Sequence, residues 1–433
     1  MKQFKLVCLI FLGTLNPAKA QQTLRLSAAI DSALFNNLGL IISRNQAIMA
    51  SNNLSYGNAG MLPRIDLNAG SNLASNTLNQ KFNTGTEINK KGVVTKAYNG
   101  QLALNWTLFD GTKMFATYQK LEVLKSMGEL NVQIKSEELV ANVTKAYAEI
   151  VKQKILRQGT LNNISLYEER VKLAEARLQI GKSSRTELLQ ASVDLNLQKS
   201  NLIKQKTLLK NAMINLNRLL MTNLNIEWNI SENLDLNTNL NFEQILLNLE
   251  SGNKQLQTLR MAEQQSILEI KEQESFYYPR VNLNAGYNFT SNSSTQGLFL
   301  VNQIRGPLAG ITFNWNLYNG IQRKAVENVK LQHQNTQLQY QDAKIGLETL
   351  VINAWQNYHD ALDLAKMEQE SHKMAEEYVD ITMERFRLNE ATILELKDAQ
   401  QSIEASVIRL ANTLFEAKIA ETELLFLTGK LVR

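Results

Sequence analysis

The chain has 433 residues, with 46 Lys and Arg against 41 Asp and Glu, a formal charge of +5 and a pI near 9.0. Three of the lysines (Lys2, Lys5, Lys19) fall in the first 20 residues and leave only +2 elsewhere, so the basic pI is no argument for nucleic acid as a partner. Hydrophobic residues make up 44%, enough for a core, while four prolines and 7% aromatics suit long uninterrupted helices.

Residues 1–20 carry Lys2 and Lys5, an apolar run from Leu6 to Leu15 interrupted by Gly13 and Thr14, and then Ala18-Lys19-Ala20. This pattern predicts a secretory signal peptide cleaved before Gln21. The sole cysteine, Cys8, lies inside the apolar run, so the mature chain is expected to lack thiols, which excludes disulfides, zinc-thiolate sites and cysteine nucleophiles. Beyond the signal no apolar stretch reaches the ~18 residues of a membrane helix. A soluble periplasmic protein or a membrane β-barrel, whose strands give a weaker hydropathy signal, remains.

The rest is a duplication. Leu62-Pro63-Arg64-Ile65-Asp66-Leu67-Asn68-Ala69-Gly70 recurs as Tyr278-Pro279-Arg280-Val281-Asn282-Leu283-Asn284-Ala285-Gly286 at an offset of 216. Asn105-Trp106-Thr107-Leu108-Phe109-Asp110-Gly111 recurs as Asn314-Trp315-Asn316-Leu317-Tyr318-Asn319-Gly320 at 209, and Arg177 and Ala191 match Arg385 and Ala399 at 208. Residues 21–221 thus form a first repeat and 242–433 a second, joined by the Asn-rich linker 222–241.

Each repeat contains two segments that alternate apolar and polar residues, which predicts strands at about 64–73, 100–109, 280–289 and 309–318. About nine residues is the length a tilted strand needs to cross a bilayer. A water-exposed sheet packed on helices fits the alternation equally well, but Trp106, Phe109, Trp315 and Tyr318 near the strand ends favour a membrane interface. The polar segments 74–98 and 290–307 are expected to be surface loops.

From Gly111 to Ile180 no proline occurs, which predicts a helix on the order of 100 Å long. Leu188, Leu195, Leu202, Leu209 and Leu216 then recur every seven residues, as do Leu396, Ile403, Leu410, Ala417 and Leu424, and also Leu331, Leu338, Ile345 and Ile352. Strict sevens mark coiled-coil packing. His333, His359 and His372 lie in helical stretches with no metal-ligand spacing, and neither a phosphate loop nor a nucleophile elbow occurs. No enzyme activity and no cofactor is expected.

Over the mature chain these residues resemble the TolC family of outer-membrane efflux proteins. The resemblance is carried by Leu26 to Leu34 with Asn36-Asn37, the proline-led strands, the Trp-x-Leu-aromatic-Asp/Asn-Gly ends, and the Arg-x-x-x-Gly turn at Arg177 to Gly181. It implies a mainly α fold with a transmembrane β-barrel, in which four strands per chain contribute to a shared twelve-stranded barrel and the long helices form a periplasmic α-barrel. The expected assembly is a homotrimer in outer-membrane lipid, passing substrate from an inner-membrane pump and a periplasmic adaptor to the outside. Strand counting agrees, since four strands cannot close a barrel by themselves.

The resemblance also implies that the helix turns face the periplasm, with Gly181, Lys182, Ser183 and Ser184, and Asn389, Glu390, Ala391 and Thr392, as adaptor-contacting tips. It carries a constriction onto Glu187, Glu395 and Asp398, and onto Phe386, where a tyrosine is common. Asn389 stands where the first repeat has Gly181, a replacement Asn tolerates because it adopts left-handed dihedrals. The competing reading, from a different class, is a periplasmic coiled-coil scaffold or adaptor that never enters lipid.

Overall fold

The computed structural model describes residues 23–432 apart from 232, 239, 297 and 298. The expected signal peptide and Cys8 lie outside the described residues. The chain order is α1 (Leu26–Asn36), α2 (Leu38–Asn53), β1 (Arg64–Lys81), β2 (Glu87–Phe109), α3 (Lys113–Gln179) and α4 (Arg185–Leu220). The second repeat gives α5 (Phe242–Leu247), α6 (Leu249–Gly252), α7 (Lys254–Glu274), β3 (Arg280–Ser294), β4 (Val301–Asn314), α8 (Gly320–Arg387) and α9 (Ile393–Leu427). No single helix among the described residues is long and apolar enough to cross a membrane.

The described residues fall into two compact units, each drawing on both repeats. One contains residues up to Asn37, Leu139–Leu240 and Ala354–Leu425; the other contains Leu38–Glu138, Asn241–Asn353 and Phe426 onward.

In the second unit the strands form one antiparallel sheet of order β1-β2-β3-β4, leaving β1 and β4 as its edges. The registers align the two repeats' apolar positions into rows across the sheet. Leu67 pairs with Leu102, Leu102 with Tyr287 and Tyr287 with Pro307, while Ile65, Leu104, Ala285 and Ala309 form the adjacent row. Paired residues share a face, so these rows make one face apolar over this part of the sheet, and it is open, with Leu67 78% and Ile311 70% exposed. The other face carries polar rungs: Thr107 donates to Asn282 Oδ1 at 3.1 Å and Asn284 donates to Thr312 Oγ1 at 3.1 Å.

The strands are longer than the alternation predicts. The expected loops 74–98 and 290–307 are mostly strand: β1 and β2 are separated only by 82–86, where Gly85 takes φ +84°, and β3 runs to Ser294 before β4 begins at Val301. Alternation reports a difference between two faces; where Asn, Ser and Thr occupy both, the ladder continues without the signal. At the other end, β4 stops at Asn314 instead of 318. Its only neighbour is β3, whose first residue Arg280 follows Pro279 and already pairs with Asn314. β2 reaches Phe109 because Val281 pairs with it through a register shift.

The duplication extends to single hydrogen bonds. Trp106 Nε1 donates to the Met61 carbonyl at 2.9 Å and Trp315 Nε1 donates to the Tyr277 carbonyl at 3.1 Å, each acceptor lying two residues before its proline. Between β2 and α3, Gly111 has φ +74°, and a Cβ there would lie 2.3 Å from the Ser275 carbonyl oxygen. Only glycine fits this crossing.

In the first unit the described residues of the linker have neither helix nor strand beyond a single bridge from Asn229 to Thr23. Asn217, 0% exposed on α4, pins it. Its Nδ2 donates to the Ile226 carbonyl at 2.8 Å and the Leu224 carbonyl at 3.2 Å, and its Oδ1 accepts the Trp228 indole N–H at 2.6 Å. Further along, Lys418 donates to the Asp235 carbonyl at 2.8 Å. Asn217→Ala strands these partners, each at ~1–3 kcal/mol, so the linker should become a protease-sensitive site between Thr222 and Ile230 and the melting temperature should fall by several degrees. Limited proteolysis with a circular-dichroism melt checks both.

Candidate functional site at the helix turns

The turns α3–α4 and α8–α9 both lie in the first unit. At the first, Lys182 N–H donates to the Arg177 carbonyl at 2.9 Å and Gly181 N–H to the Leu178 carbonyl at 3.1 Å; at the second, Glu390 and Asn389 donate to Arg385 and Phe386 at 2.8 and 3.2 Å. This pair of bonds closes a helix through one left-handed residue. Gly181 takes φ +72° and Asn389 φ +64°, so Asn389 adopts the conformation expected of it.

The next helices start with matching caps. Ser184 Oγ accepts the Glu187 N–H at 3.2 Å, and Thr392 Oγ1 accepts the Glu395 N–H at 3.2 Å. Glu395 returns the contact, its Oε2 accepting the Thr392 backbone N–H at 2.6 Å, which completes a reciprocal capping box. That bond, together with the Thr392 hydroxyl, holds the exposed Glu395 carboxyl below its ordinary pKa. Glu187 instead accepts the Ser183 hydroxyl at 2.7 Å. Two carboxylates carried over for a constriction therefore also build the turns.

Asp398 is exposed and accepts the Tyr378 hydroxyl at 3.1 Å. The bond, burial and the charges of Asp398 and Glu395 all raise the Tyr378 pKa. The fold thus gathers Glu395, Asp398 and Tyr378 in one patch. Tyr378 was not singled out from the sequence; its spacing of seven from Arg385, two turns along α8, is the signal that could have found it.

Phe386 has a different place from the one expected. It is 1% exposed, packed with Met383, Ala391 and Leu396, so it cannot line a lumen. The Arg177 guanidinium lies 3.9 Å from its ring centroid and donates to its carbonyl oxygen, joining the two turns. Ala391 is buried in the same cluster and drops out as a tip contact, because turn closure folds it against Leu396. Gly181, Lys182, Ser184, Asn389, Glu390 and Thr392 are exposed, and Ser183 is half-buried.

Above the turns, Arg170 is 1% exposed and donates to Asp194 Oδ2 at 3.1 Å and to Gln400 Oε1 at 3.3 Å. It is the repeat counterpart of Tyr378 at offset 208, and each reaches an aspartate on the following helix. Burial and the Glu404 and Asp194 charges push the nearby Tyr167 pKa up to about 12.

Elsewhere, Trp106 and Phe109 end β2, whereas Trp315 and the 84% exposed Tyr318 follow β4. His372 Nδ1 lies 2.9 Å from Ser406 Oγ and its Nε2 3.4 Å from Glu376. This row resembles a hydrolase triad in atoms alone: Ser406 is 0% exposed and its hydroxyl donates to the Ile403 carbonyl, so no acyl group can reach it. Among the described residues no group of three or more His, Cys, Asp and Glu is arranged for a metal.

The sequence profile of the outer membrane efflux protein family matches residues 29–221 and 246–430. No curated protein matches the sequence significantly. Among solved structures, the fold is similar to the CmeC outer membrane channel of Campylobacter jejuni (TM-score 0.76, 17% identity, covering 94% of this chain and 85% of that one). It is also similar to the outer membrane protein VceC of Vibrio cholerae (0.74, 15%, 93% and 96%). The open state of the Neisseria gonorrhoeae MtrE outer membrane channel matches at 0.71, 16% identity, 94% and 89%.

Proposed function

The chain belongs to the outer membrane efflux protein family, matched over both repeats, and from that premise we propose how its copies assemble and what they pass. It is an exit duct of the outer membrane, and efflux is its work. The observation that carries the assembly is the sheet: four strands, two open edges and one exposed apolar face. In lipid, each unpaired edge N–H and C=O costs several kcal/mol, and about eight strands are the usual minimum for closure. Three copies joined β4 to β1 give twelve strands with Leu67, Leu102 and Ile311 toward lipid and the Asn and Thr rungs toward water. The aromatic residues Trp106, Phe109, Trp315 and Tyr318 then sit at the membrane–water boundary.

The helical hairpins extend into the periplasm in this reading. Their turns meet a periplasmic adaptor through Lys182, Ser184, Asn389, Glu390 and Thr392, and an inner-membrane pump supplies the energy. The patch of Glu395 and Asp398, repeated three times about the axis, forms a narrow cation-favouring ring. Glu187, half-buried beside Ser183, contributes from the neighbouring turn.

The mature chain is expected as a trimer in mild detergent. Native mass measurement or sedimentation reads this directly, and a dispersed monomer that keeps its β-structure contradicts the shared barrel. Membrane fractionation separates the duct, which requires detergent for release, from a washable periplasmic scaffold.

A further inference from the structure

A cavity of about 530 Å³ opens in the first unit between α3, α4 and linker residues 224–229. Four cationic side chains line it: Lys154 and Arg157, one turn apart on α3, and Lys206 and Lys210, one turn apart on α4. Glu227 is the single carboxylate of the lining. Among the described residues, Arg157, Lys206 and Lys210 have no salt bridge, although many other surface lysines of the chain do. With Lys154 they set four cations against one carboxylate around a single space, a surplus of positive charge that an anion would relieve.

The remaining wall is apolar and built. Trp228 lines the cavity with its indole N–H tied to Asn217, while Leu209 and Met213 supply aliphatic surface. The linker that forms this wall is fixed by Asn217 and by Lys154, which donates to the Ile230 carbonyl. The cavity is therefore held open by buried polar contacts in a segment without helix or strand.

The second repeat supplies the comparison. It folds into the same helix pair, yet at offset 208 it has Leu362, Ala365 and Leu414 in place of Lys154, Arg157 and Lys206, and the lysine it does keep, Lys418 opposite Lys210, is paired with Glu421. The helix pair forms without those charges.

We propose that this cavity is a binding site for a small organic polyanion with an apolar body, its charges on Arg157, Lys206 and Lys210 and its body against Trp228. The volume suits such a molecule, since ligand pockets run from about 300 to 1,000 Å³ and combine apolar walls with a few placed polar groups. The proposal rests on this cavity within one chain and not on the exit-duct reading, so its success or failure leaves that reading untouched.

The test is isothermal titration of full-length protein in non-ionic detergent with 1,5-naphthalenedisulfonate, beside inorganic phosphate. The disulfonate should bind saturably at one site per chain, weaken as salt rises, and bind about tenfold more tightly than phosphate. Lys206→Gln with Lys210→Gln should weaken it about tenfold, and Trp228→Phe should weaken the disulfonate while leaving phosphate unchanged. Both lysines are exposed, so helix content and melting should stay as in the parent, which separates lost binding from lost folding. No saturable binding up to about 1 mM, equal affinity in the double lysine variant, or phosphate binding as tightly as the disulfonate overturns the proposal.

Discussion

Leu338→Asp combined with Ile345→Asp is expected to leave the protein monomeric in mild detergent and nearly absent from the membrane fraction. Leu331, Leu338, Ile345 and Ile352 stand seven residues apart on α8 and are 57%, 61%, 65% and 51% exposed in the single chain. Their counterparts in α9 are occupied within the chain: Leu396 and Leu424 are 0% exposed and Ile403 6%. A heptad stripe left open along a long helix is a seam awaiting another helix, and in the proposed trimer a second copy supplies one. A carboxylate without a partner in that seam costs several kcal/mol, and the assembly repeats the cost at three interfaces. Native mass spectrometry beside the parent decides it; undiminished trimer would move the subunit contact to another face. Leu202→Asp on α4, where the leucine is half-buried, should act in the same direction.

The second large effect is on conduction. Glu395→Gln with Asp398→Asn should lower cation preference several-fold in planar-bilayer recordings and weaken block by multivalent cations by about tenfold, with trimer assembly intact. Amide variants are the right choice because alanine at Glu395 would also undo the capping box with Thr392, which glutamine can keep. The pH course follows from the cap. Because the Thr392 N–H holds the Glu395 pKa below its ordinary value, its charge persists through mild acid and is lost only as pH falls below the usual carboxylate range. Asn284→Ala, on the polar face of the sheet, should change selectivity little. Unchanged selectivity and block in the amide double variant would put the narrowest point elsewhere.

The sequence disclosed the long helices and the duplication well, because the lack of proline and the paired Pro-Arg and Trp-x-Leu motifs are covalent facts that tertiary packing does not alter. It disclosed the strands' alternating parts but not their extensions, since 74–81 and 87–99 keep their ladder while losing the contrast between faces. The turn residues were legible as turns: Gly181 and Asn389 need left-handed backbone, and both have it. Side-chain roles at those turns were less so. Phe386 aligned with an expected constriction but is buried under Arg177, because whether an aromatic one residue before a helix end points inward depends on the facing helix. Tyr378 and Arg170 went unnoticed for the same reason, each being defined by an aspartate on the following helix, 20 and 24 positions away. Asn217 gave no signal at all; one asparagine among many organises the linker through carbonyl groups that no side-chain pattern records.

The cross-repeat make-up of the two compact units has a consequence for biosynthesis. Arg177 finds the Phe386 carbonyl and Arg170 finds Gln400 only after the second repeat has been made, so neither unit can be completed by the first repeat alone. A chain exported from its N-terminal end thus emerges with Leu67, Leu102 and the α4 heptads long before their partners follow, and contacts separated by some two hundred residues are slow to form. The interval is one in which aggregation competes with folding, and it ties the yield of finished duct to whatever holds the leading half soluble until the trailing half arrives.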